Sequence, residues 1–186
     1  MINRLVLMKA HVLLGAFILP AALMFLVTGA LYTWGIKGEY ETTSQKLHLS
    51  APLHEDLDQL VEIVKRTLTQ QNLSFPTGTP KIKKTGKSFQ LEWTGSNRDI
   101  ILKPTSSSLI ANLKIKNTTQ YRQFVQLHKA KGGIAFKIYA TLLAISLLLL
   151  LITGFIMAWQ IPKLRKITSI ATISGLLFFF TMFISS

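Results

Sequence analysis

The chain has 186 residues and no cysteine; 49% of its residues are hydrophobic, 16% are charged, and its formal charge is +13. The missing cysteine excludes a disulfide-stapled secreted domain. Three uncharged runs, Ala10 to Ile36, Ile138 to Pro162 and Ile167 to Ser186, exclude a soluble globular protein, because each is long enough to cross a hydrocarbon core with ~20 residues at ~1.5 Å rise.

The first run follows Arg4 and Lys9 and closes on Leu31-Tyr32-Thr33-Trp34. A signal-peptide core spans about 7–15 apolar residues and ends on small ones. This run is longer and has the aromatic ending of a membrane interface, so residues 1–36 read as a tail and an uncleaved transmembrane helix. Pro20 removes one backbone donor and predicts a kink near Ala16 to Pro20.

All eight acidic residues fall between Glu39 and Asp99, so residues 37–131 form the polar part of the chain. Ser50-Ala51-Pro52 reads as a helix opening, with Ser50 as N-cap. Leu53, Leu57, Leu60, Val61, Val64 and Leu68 then recur at helical spacing. After a loop over Gln70 to Thr79 the period becomes two: Phe89, Leu91 and Trp93 alternate with Gln90, Glu92 and Thr94. Turn clusters at Thr85-Gly86, Gly95-Ser96-Asn97 and Pro104 to Ser108 predict four strands, near Lys81–Lys84, Ser88–Thr94, Arg98–Lys103 and Leu109–Lys116. Ala111, Leu113 and Ile115 make the inward face of the last. The expected domain is a helix over a small antiparallel meander, α+β in class. Thr118 to Lys131 reads as an amphipathic lead-in to a second transmembrane helix over residues 132–159. A basic loop over 160–166 and a third transmembrane helix over 167–186, rich in Phe178, Phe179, Phe180 and Phe183, complete the chain.

Orientation rests on the short segments, because loops beyond about 60 residues translocate largely regardless of charge. Arg4, Lys9, Lys163, Arg165 and Lys166 are offset by no acid. They predict a cytoplasmic N-terminus and an exported middle domain.

Three features carry a family resemblance. His11-Val-Leu-Leu-Gly15 opens the first helix and Val27-Thr28-Gly29-Ala30-Leu31 closes it. Leu127-His128 leads to Gly132-Gly133 and then to Ile152-Thr153-Gly154-Phe155. Lys103-Pro104-Thr105-Ser106-Ser107 is similar to the strand turn of PepSY units, which runs acid, proline, any residue, threonine, glycine; only the proline is kept here. The chain resembles the PepSY-associated transmembrane family. That resemblance implies a bacterial inner-membrane protein with a PepSY-like domain outside the cytoplasm. Some larger members look like haem-carrying reductases of ferric siderophores, and many short ones have no assigned activity.

The four histidines are the chain's obvious metal ligands. His11 sits at a helix end, where a polar residue costs much less than at the bilayer centre. Either it is an interfacial histidine or it is an axial ligand to haem b, since imidazole on an apolar helix commonly holds haem iron. His128 lies on the opposite side. From His11 to Trp34 is 23 residues, about 34 Å of helix. His11 and His128 are therefore not expected to grip one haem within one chain. Each would need another partner: His48 or His54 beside His128, or a second subunit beside His11. His54, Asp58 and Glu62 share a helical face, but acids in a first helical turn also suit the helix dipole. Thr85-Gly86-Lys87-Ser88 imitates a phosphate loop, but Lys81 stands where its first glycine belongs. Nothing in the polar domain points to catalysis.

From Ile36 to Gly132 there are 15 Lys and Arg against eight acids, with Lys81, Lys83, Lys84 and Lys87 on one hairpin. Export makes nucleic acid an unsuitable partner. Anionic headgroups attract such residues by about 1 kcal/mol each near the surface. The reading is a non-catalytic membrane protein whose exported domain engages a partner protein or the membrane surface, with a homo-oligomer also open. The alternative is a haem-bearing electron-transfer subunit.

One pattern is internal. Leu26-Val-Thr-Gly-Ala-Leu-Tyr-Thr-Trp34 and Leu151-Ile-Thr-Gly-Phe-Ile-Met-Ala-Trp159 align without gaps, sharing Leu, Thr, Gly and Trp. The two helices must run antiparallel, so the repeat is inverted. It sets His11 at the level of Trp159 and His128 near that of Trp34. Gly29 and Gly154 allow close backbone approach, and Thr28 and Thr153 can bond across a helix pair. These four are the expected packing residues.

Overall fold

The computed structural model describes residues 3–86 and 88–186. In chain order the elements are α1 (Arg4–Thr33), β1 (Tyr40–His48), α2 (Leu57–Gln70), β2 (Pro80–Thr85), β3 (Ser88–Thr94), β4 (Arg98–Pro104), β5 (Ile110–Thr118), α3 (Gln120–His128), α4 (Gly133–Trp159) and α5 (Pro162–Ser185). Helices α1, α4 and α5 are long and apolar enough to cross a membrane. The chain divides into two compact units: Leu23–Ala140, and the N-terminal stretch up to Ala22 together with Thr141–Ser186.

In the first of these units the sheet runs β1-β5-β4-β3-β2, antiparallel throughout. Strands β2 to β5 are the expected meander. Strand β1 is additional: it joins the sheet by pairing with β5 from Tyr40↔Thr118 to His48↔Ile110. Its sequence hides it. Glu41, Thr43, Gln45 and Leu47 point to the helix side, and with one apolar residue among four they carry no alternation.

One face of the sheet is covered by α2. Leu60, Val64 and Leu68 follow i, i+4, i+8 spacing and are fully buried against Leu91, Trp93, Ile100, Leu102, Ala111, Leu113 and Ile115. Trp93 is 6% exposed, and its indole N–H donates to the Gly78 carbonyl at 2.7 Å. The helix opens later than Ser50 suggests. Asp56 is the N-cap, its carboxylate accepting from the backbone N–H groups of Asp58 (2.9 Å) and Gln59 (3.3 Å). A carboxylate meets both orphan donors and the helix dipole together, which a serine six residues upstream cannot do. Leu53 packs on the core from the irregular entry, whereas Leu57 stays 37% exposed.

In the other unit α1 continues through Pro20. Leu7, Ile18, Ala21 and Leu143 are its buried apolar side chains. The expected loop over 160–166 is shorter: α5 begins at Pro162, because proline at the first helical position lacks only an N–H that would be unpaired anyway. Arg165 then donates from Nε to the Trp159 carbonyl at 2.8 Å, closing the end of α4. No described side chain of α5 is buried.

Candidate functional site

Each unit contains one junction built from the same three residue types. In the sheet-bearing unit, Thr28 is 3% exposed, and its hydroxyl donates to the Met24 carbonyl of its own helix at 2.6 Å. The same oxygen lies 2.9 Å from Nδ1 of His128. Beside it, a Cβ on Gly29 would come within 3.2 Å of the His128 ring. The glycine therefore makes the space that the imidazole fills. Phe25 closes the other side, its ring centre 5.0 Å from that of His128.

In the other unit, His11 Nδ1 lies 2.9 Å from the Thr153 hydroxyl, which donates to the Leu149 carbonyl at 2.8 Å. A Cβ on Gly154 would come within 3.5 Å of the His11 ring, and one on Gly15 within 3.9 Å of Leu150. The repeated Thr-Gly thus meets a histidine twice.

Proton accounting gives the junctions a common chemistry. A threonine hydroxyl has one hydrogen, and in both places a carbonyl of its own helix takes it. With its proton directed to that carbonyl, the oxygen is left to accept from imidazole Nδ1, while Nε2 is not engaged by the threonine. A helix-borne hydroxyl that orients a ring in this way also suits a ligand held at Nε2.

A second polar cluster joins the sheet to α3. Tyr40 donates to Asp99 at 2.8 Å and accepts from Gln126 at 2.7 Å and from Arg122 at 3.0 Å. Asp99 also accepts from the Gly95 N–H at 3.1 Å, and Lys131 stands 3.5 Å away. The Arg122 guanidinium lies 4.5 Å from the Tyr40 ring centre and donates to the Lys37 carbonyl at 2.9 Å. Burial pushes the Tyr40 phenol above its ordinary value; Arg122 opposes that rise and Asp99 reinforces it. Sequence reading missed this cluster, because its members come from four segments and follow no period.

The other sequence candidates are placed as follows. Asp56 caps α2, and Glu55 pairs with Lys84 at 2.7 Å. Lys83 pairs with Glu92 at 3.4 Å, and Lys87 lies outside the described residues. Neither His48 nor His54 stands beside His128. His48 ends β1, about 26 Å from Tyr40 at ~3.3 Å per residue, while Tyr40 touches Gln126 near the end of α3. His54 adjoins Glu55, which pairs with Lys84 at the hairpin end of β2.

The side of the sheet away from α2 carries a charged surface. Register puts Lys81, Lys83, Lys103, Lys114, Lys116 and Lys46 on it, with Glu92 and Asp99 as its acids. Helix α3 covers the Tyr40–Asp99 corner.

No curated protein and no solved structure matches the chain. The family model described as the PepSY-associated TM region matches residues 2–161, a span that takes in both Thr-Gly/His junctions and the whole sheet. The chain is a membrane protein of the PepSY-associated transmembrane family.

Proposed function

We propose that this is a non-catalytic protein of the bacterial inner membrane whose sheet domain, held outside the cytoplasm, docks a partner protein with an acidic surface. The observation that carries the reading is the uncovered lysine-bearing side of the sheet. Six lysines share it with two acids, and one of those, Asp99, is already engaged by Tyr40 and Lys131. Such a field steers an acidic partner and weakens as salt screens it. The membrane surface is the less suitable target. Lys46, Lys83 and Lys103 lie toward the strand ends away from Tyr40 and Gly78, where the sheet meets the residues leading into α4. The uncompensated Arg4, Lys9, Lys163, Arg165 and Lys166 support the orientation. A photo-crosslinking residue at position 103 or 114 in growing cells tests the reading. A discrete protein adduct is expected that Lys114→Glu removes from position 103 and Lys103→Glu removes from position 114; adducts to lipid alone contradict it.

One observation favours a second reading, an electron-transfer subunit. In each junction Nδ1 is engaged by threonine, which leaves Nε2 of His11 or His128 as the ligand atom for haem b. A haem bound there would supply one-electron redox chemistry. His48 and His54 stand too far from His128 to complete that site, so the second ligand would come from outside the chain.

A further inference from the structure

We infer that the open edge of β1 and the cleft beside it bind an extended segment of a partner protein, which adds to the sheet as a sixth strand. This surface is separate from the lysine-bearing side and goes beyond the docking role proposed for it.

The two edges of the sheet are unlike. Strand β2 has six residues, begins with Pro80, which has no N–H to offer, and carries Lys81, Lys83 and Lys84. Short length, proline and lysine are the devices that keep a sheet edge from pairing with another chain. Strand β1 has nine residues, no proline and one lysine, Lys46. It is bonded to β5 along its full length on one side and to no described strand on the other. Alternate residues therefore turn both N–H and C=O outward, an edge complementary to extended backbone.

A cleft remains on the helix side of β1. The buried stripe of α2 sits over the strands that follow it, so Gln45 and Leu47, the latter also packed on the core, line a cleft of about 560 Å³ between β1 and the flank of α2. Leu47, Leu49 and Ile63 give it an apolar part, with Glu62 and Arg66 at the helix flank. The volume is in the range of ligand-sized sites, about 300–1,000 Å³. The Oε1 of Gln45 accepts from Gln71 at 3.0 Å, but its Nε2 is shut away from solvent without an acceptor. A strand laid along β1 sends every second side chain toward this cleft. The occupant is thus an extended peptide with apolar residues at alternate positions, held by backbone along the edge and selected by the cleft. The mixed charge around the cleft selects neither sign.

The test uses the full-length protein in lipid nanodiscs and a displayed library of random nonapeptides. Enriched peptides should alternate apolar and polar residues, and a synthetic copy should slow amide exchange across Tyr40–His48. Gln45→Arg and Ile63→Arg, which fill the cleft from its two walls, should each weaken binding at least tenfold while the far-UV circular dichroism stays unchanged. Lys103→Glu should leave binding as it is, which separates this surface from the lysine-bearing one. Failure to enrich any peptide overturns the inference, as does protection elsewhere than β1. It is also overturned if Ser44→Cys crosslinks two copies through their β1 edges without peptide, because the occupant is then the protein itself.

Discussion

Thr28 and His128 are joined at 2.9 Å across 100 residues of chain, by a hydroxyl whose single proton is already donated to the Met24 carbonyl. The pairing orients the imidazole and seats the ring where Gly29 leaves room. His11 and Thr153 repeat the arrangement, with Gly154 in place of Gly29. Polar contacts of this kind from a membrane helix to a neighbouring helix contribute on the order of 1 kcal/mol. The fit of ring to glycine adds packing that any larger residue disrupts.

Leucine at either glycine should therefore displace an imidazole. Gly29→Leu and Gly154→Leu are expected to lower the melting temperature and yield of protein purified in detergent, Gly29→Leu by more, since its imidazole is nearer. Phe179, 61% exposed on α5, should accept leucine with little change. Equal tolerance at all three positions would strip the repeat of structural meaning.

Strand β3 offers a two-faced comparison. Trp93→Ala removes a buried ring and leaves the Gly78 carbonyl without its donor, and should cost about 3–5 kcal/mol of domain stability. Thr94→Ala, on the opposite side, should cost less than about 1 kcal/mol. Denaturant titration of the two variants checks the facing of the strand.

The contrast between these two sites shows what the sequence discloses. The α2 stripe and the alternation of β3 were legible, because one-sided burial imposes a period of 3.6 or 2 on apolar residues. Strand β1 was not, because an edge strand that meets the core through Leu47 alone needs no apolar alternation. The Ser50-Ala51-Pro52 signal misled, since Asp56 answers the same orphan N–H groups nearer to the stripe. The Thr-Gly repeat put His11 and His128 at the levels of the opposing Trp residues, but nothing in the pattern identified the imidazoles as what the glycines accommodate. Tyr40 and Asp99 meet through tertiary pairing alone.

Tyr40 links stability to alkaline pH. Burial, helped by Asp99, holds the phenol protonated in the folded chain beyond the usual value of about 10. The unfolded chain releases that proton first, so the contribution is fully present below pH about 10 and declines as pH rises through the folded value. Tyr40→Phe should lower stability near neutrality by about 1–3 kcal/mol, because Asp99, Gln126 and Arg122 lose a partner. It should also flatten the alkaline decline. A parallel decline in both proteins would remove Tyr40 as its source.

Orientation has its own check. A reporter that is active only outside the cytoplasm, fused near Gly95, should be active. An inserted but inactive fusion would put the sheet domain on the cytoplasmic side and remove its partners with it.

Whether the two membrane-associated imidazoles pack helices or hold iron is read most directly from an absorption spectrum of the protein, purified in mild detergent from haem-replete cells. A colourless protein with no Soret band is expected of a chain that docks a partner and carries no haem. A stoichiometric Soret band that His128→Ala or His11→Ala abolishes would contradict it and establish the electron-transfer reading in its place.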